Sequence, residues 1–82
     1  MKPFTKWVIR QGKDKYRSDA VADLGEDFAR DKRLPVGAGI RELRVYLSRY
    51  GEHVSDAFEA ARAEYRELRR RALRAPQRAT RL

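Results

Sequence analysis

At 82 residues the chain is long enough for one small domain and too short for two, since a chain of this size buries only about 60 per cent of the surface it exposes when unfolded. A hydrophobic fraction of 41 per cent with eight aromatics can close one core, while the 39 per cent of charged residues must lie outside it. There is no cysteine, which excludes a disulfide or a thiolate metal site, leaves stability to helix packing and suits a reducing cytoplasm.

The formal net charge of +8 is segregated. Residues 1–17 carry six Lys or Arg against Asp14, residues 18–31 carry five acids against Arg30, and Arg62–Leu82 holds eight arginines against Glu64 and Glu67. Two basic blocks flanking an acidic one attract polyanions, and also permit pairing with a mixed-charge surface or with another copy.

In chain order, Pro3 suits the first position of a helix whose face is Phe4, Trp7, Val8 and Gln11, with Gly12 expected to stop it. Basic residues open the chain, but Thr5, Lys6 and Arg10 interrupt its apolar stretch, so it lacks the apolar region of a signal peptide, and no segment approaches the roughly 20 apolar residues of a membrane span. After the loop GKDKYR, Ser18 is the expected N-cap of a second helix with Val21, Leu24 and Phe28 inside and Asp19, Asp23, Glu26 and Arg30 outside. The stretch DKRLPVGAG reads as a connection anchored by Leu34. A third helix starts near Gly39 and presents Ile40, Leu43, Leu47 and Tyr50 on one face before Gly51, which is well placed as its C-terminal stop. After the turn GEHVS, Ser55 is the expected cap of the longest helix, with the stripe Phe58, Ala61, Tyr65, Leu68 and Ala72; its last turns project into solvent and a disordered tail follows Pro76. No strand alternation and no internal repeat emerges.

This order of marks, Phe4, Trp7, Val8 and Gln11, then DLGEDFARDKRLP (Asp23 to Pro35), then Ile40 with Tyr46 and Leu47, then Phe58 with Tyr65, resembles the YozE family of small bacterial proteins. That family shows an early F..WL..Q, a central DLA.D...D..FP, a YL in its third helix and an aromatic last helix. The resemblance covers residues 4–66 and implies a SAM-like bundle, in the sense of the sterile alpha motif. Gly25, Val8 and Leu34 depart from the pattern, and residues 67–82 extend beyond it. It implies a fold and no activity.

Chemistry is sparse. His53, the single histidine, reads as an exposed turn residue rather than a base. Neither GxxxxGK[ST] nor GxGxxG occurs, although the two glycines of PVGAGIREL precede a helix start that accepts an anion. Asp23 and Asp27, four apart, read as solvated or paired with basic residues rather than as a cation site. Trp7 lies among Lys2, Lys6 and Arg10 like a stacking platform, yet shares a face with Phe4 and Val8 and is assigned to the core. Tyr46 sits at the edge of its helix's stripe.

On a helical wheel Arg62, Arg66 and Arg69 fall within about 60 degrees and span about 10 Å along the axis, a ridge matched to neighbouring phosphates. Arg70, Arg71 and Arg74 spread around the helix. A helix-turn-helix over residues 19–50 would present Arg41, Arg44 and Arg49, but its connection is too long and Asp23, Glu26 and Asp27 would repel the backbone.

The expectation is an all-α, compact four-helix SAM-like bundle over residues 1–68 with an Arg-rich extension over 69–82, acting as a non-enzymatic cytoplasmic binding module. Arg62, Arg66, Arg69, Arg70, Arg71 and Arg74 would engage nucleic acid or an acidic protein surface. Alternatively, Asp23, Glu26 and Asp27 would mediate protein pairing, including homo-oligomers. No metal, cofactor, small-molecule substrate or membrane is expected.

Overall fold

The computed structural model describes residues 1–79 of the chain, with side chains as far as Arg74. It is an all-α bundle of four helices: α1 (Pro3–Lys13), α2 (Ala20–Arg30), α3 (Ile40–Ser48) and α4 (Glu52–Ala79). Helix α4 packs against each of the other three. No helix among the described residues is long and apolar enough to cross a membrane.

The apolar spacing of α1 sets its aromatic side against α4. Phe4 meets Phe58 edge-on at 5.8 Å and Tyr65 at 5.4 Å between ring centroids, and Trp7 lies 5.4 Å from Tyr65. Trp7 is 7 % exposed and Phe58 1 %. Each such side chain contributes roughly 1.5–3 kcal/mol by leaving water, so Trp7 is committed to the core rather than offered for stacking. Leu34, at 6 %, anchors the connection between α2 and α3 as its placement before Pro35 predicts.

Several boundaries differ from expectation. Helix α1 runs through Gly12 to Lys13, because Gly12 is a packing residue: a Cβ there would stand 2.5 Å from the Glu26 backbone nitrogen. The cap of α2 is Asp19, whose Oδ1 accepts from the Ala22 N–H at 3.0 Å, and not Ser18. Helix α4 begins at Glu52, three residues before Ser55. Gly51, at φ +98°, makes the reversal alone and Val54 already packs on the core. At its far end α4 continues past Pro76, so the tail expected there is corrected for residues 77–79, where Gln, Arg and Ala favour helix. Residues 80–82 lie outside the described residues.

Two polar links lock the bundle. Arg17, in the α1–α2 loop, donates to Gln11 at 2.9 Å, to Asp19 at 2.9 and 3.0 Å, and to both carboxylate oxygens of Glu64 on α4 at 2.6 and 2.8 Å. The Tyr46 hydroxyl donates to Asp31, which ends α2, at 2.6 Å, tying α3 to that end. Tyr46 is thus a half-buried structural tie rather than a free contact.

Candidate functional site

Past Tyr65 the other helices no longer cover α4, and every side chain from Leu68 to Arg74 is exposed. The six candidate arginines of α4 sort into two groups by what their neighbouring acids do.

Glu67 takes Arg70 and Arg71, the latter at 3.2 Å, and chiefly Arg70 holds its carboxyl below the usual range. Glu59 takes Arg44 of α3 through two bonds of 2.6 and 3.1 Å. Its carboxyl is likewise held down, first by Arg44, with the nearby charges of Arg62 and Arg66 adding to the effect. Glu64 is occupied by Arg17. Among the described residues, Arg62, Arg66, Arg69 and Arg74 make no ion pair, although Glu59, Glu64 and Glu67 lie on the same helix beside them. The ridge read from the wheel therefore has no ion pair of its own among these residues, and neither has Arg74, whereas Arg70 and Arg71 share Glu67.

Arg62 is the innermost of the ridge. It is half-buried, its guanidinium lies 5.5 Å over the Phe4 ring, and its Nε is buried without a partner. Arg62 and Arg69 border one pocket of about 250 Å³, together with Lys2 and the beginnings of α1 and α3. Lys2 N–H donates to Val36 O at 3.1 Å, a bond that brings those two helix starts together. Thr5, fully buried, also lines the pocket, and its hydroxyl has no partner. An unpartnered buried polar group costs about 1–3 kcal/mol. The sequence placed Lys2 beside Trp7 rather than at this pocket, and gave Thr5 no binding role. The available signal was that neither Lys2 nor Gly39, the residues before α1 and α3, is a side-chain N-cap.

The acidic candidates lie on the far face. Asp23, Glu26 and Asp27 are exposed; Glu26 pairs with Arg30 at 3.2 Å, while Asp23 and Asp27 form no ion pair among the described residues. His53 belongs to the first turn of α4 rather than to a loop, and shares a groove with Asp23 and Asp27. No group of three or more His, Cys, Asp or Glu side chains suited to a metal occurs among the described residues. Asp27 also edges an apolar groove of about 360 Å³ lined by Leu24, Phe28, Leu47, Tyr50 and Val54.

Of the three arginines of the helix-turn-helix alternative, Arg44 is held by Glu59 and Arg49 lies 5.0 Å over the Tyr46 ring, while Arg41 is exposed without an ion pair among the described residues. No family model, curated protein or solved structure matches this chain.

Proposed function

We propose that this chain is a non-enzymatic module that binds nucleic acid through the phosphate backbone, with Arg62, Arg66 and Arg69 as its main contacts and Arg74, Arg70 and Arg71 as a diffuse supplement. One observation carries the reading: Glu59, Glu64 and Glu67, the acids of α4 that lie along the ridge, are each taken by other arginines, which leaves Arg62, Arg66 and Arg69 without an ion pair of their own among the described residues. Three guanidiniums over about 10 Å of helix suit forked phosphate contacts, and their release of counterions supplies the affinity without reading bases. The YozE resemblance and a SAM-like arrangement of the four helices belong to the same proposal. So does action in the reducing cytoplasm, which a chain without cysteine supports.

Fluorescence anisotropy of a labelled duplex and a labelled single strand across a salt series tests it. Affinity falls steeply with salt, with a log–log slope of roughly −3 or steeper for duplex. Absence of binding at low salt rejects the reading.

A second reading has its own observation, the apolar groove beside the exposed acids of α2. Here Asp23, Glu26 and Asp27 steer a basic protein surface, including that of another copy, toward the groove. Light scattering at low and high salt checks self-association, which Asp23→Lys with Asp27→Lys abolishes on this reading.

A further inference from the structure

Helices α1 and α3 both start without a side-chain cap, and both starts open on one pocket. The first backbone bonds of these helices are Lys6 N–H to Lys2 O and Leu43 N–H to Gly39 O, so the amides of Phe4, Thr5, Ile40 and Arg41 precede the ladder. With 11 and 9 residues, each helix carries a positive end at this point. Lys2, Arg62 and Arg69 add three cations to the wall, and no carboxylate lines it.

The second observation is independent of the helix ends. Two donors of the same wall, the Thr5 hydroxyl and the Arg62 Nε–H, are buried and unpartnered, and Thr5 has no solvent exposure at all. Buried donors without acceptors, under a field wholly positive, match an oxyanion with several acceptor lone pairs. A tetrahedral phosphate fits the pocket of about 250 Å³, and its charge answers the three cations better than a carboxylate would.

We propose that the pocket between the starts of α1 and α3 binds a phosphate oxyanion, held by Arg62, Arg69 and Lys2 and by the Thr5 hydroxyl. The site does not rest on the nucleic-acid reading, because free inorganic phosphate is a sufficient ligand.

The experiment is a titration of the ¹⁵N-labelled full chain with inorganic phosphate, compared with sodium chloride at matched ionic strength. Saturable shifts at the Phe4, Thr5, Ile40 and Arg41 amides are expected with phosphate alone. Thr5→Val, which exchanges the hydroxyl for a methyl group of similar size, weakens phosphate roughly tenfold or more. Arg69→Gln, at an exposed position, also weakens it, whereas Arg30→Gln on the far face does not. Shifts equal to those with chloride, or unchanged affinity in both Thr5→Val and Arg69→Gln, overturn the proposal. Short oligonucleotides with a 5′-phosphate or a 5′-hydroxyl then separate the sources: preference for the phosphorylated strand identifies a strand end, and equal binding beside saturable phosphate shifts identifies free phosphate. Saturable phosphate without duplex binding removes the nucleic-acid reading and keeps the pocket; duplex binding with chloride-like shifts removes the pocket alone.

Discussion

Gly12 of α1 and Gly25 of α2 meet backbone to backbone: a Cβ built on Gly25 would lie 2.2 Å from the Val8 carbonyl oxygen and 2.6 Å from the Gly12 nitrogen. Those neighbours are main chain and cannot turn aside, so the two helices must separate to admit even a methyl group. Gly25→Ala therefore destabilises the bundle by about 1–3 kcal/mol or more, despite the better helix propensity of alanine. Chemical denaturation followed by circular dichroism measures this, and an alanine variant as stable as the parent would disprove the close crossing.

Arg17 joins residues 47 positions apart through its paired bonds to Glu64. Its side chain is only 16 % exposed, so its replacement strands Gln11 and Glu64 as well as losing a charge. Arg17→Met costs about 1–3 kcal/mol. A double-mutant cycle with Glu64→Gln shows coupling of about 1 kcal/mol; additive single effects would mean that the pair is ornamental.

Asp19 caps α2 and is held down to about 2, first by the Arg17 hydrogen bonds and then by the Ala22 N–H. A carboxyl whose folded pKa lies below its unfolded value of 3.8 stabilises the fold fully above that value. Its contribution is lost as pH falls toward about 2. Asp19→Asn keeps the cap and flattens this acid limb, whereas Asp19→Ala also loses about 1 kcal/mol of cap at neutral pH. Acid titration of thermal stability for the three proteins tells the cases apart; an unchanged limb in Asp19→Asn would assign the acid sensitivity elsewhere.

The four helices were legible because Val21, Leu24 and Phe28, or Phe58, Ala61 and Tyr65, repeat at helical spacing whatever packs against them. Leu34 before Pro35 was legible as an anchor for a similar reason, being the sole large apolar residue between two helices apart from Val36. Boundaries were less so. Ser18 and Asp19 are both good caps, and Asp19 is the one whose carboxylate accepts from the Ala22 N–H while also holding Arg17, a contact set that depends on where the loop folds. Gly12 looked like a stop because the helix it touches is invisible from local sequence. The arginine ridge was legible as a direction on a wheel, but its selection over Arg70 and Arg71 depends on Arg44 and Arg17 reaching Glu59 and Glu64 across the fold. The pocket at Lys2 and Thr5 is wholly tertiary, since it exists only where two helix starts are tied by Lys2 and Val36.

The ridge is tested most directly by comparing two variants that remove equal charge from exposed positions of α4, Arg66→Gln with Arg69→Gln and Arg70→Gln with Arg71→Gln. Duplex binding across a salt series gives the slope for each. Loss of the unpaired arginines reduces the log–log slope by about 2, while loss of the pair held by Glu67 reduces it by less than half as much. Equal reductions, or the larger one in the Arg70 and Arg71 variant, would contradict the account.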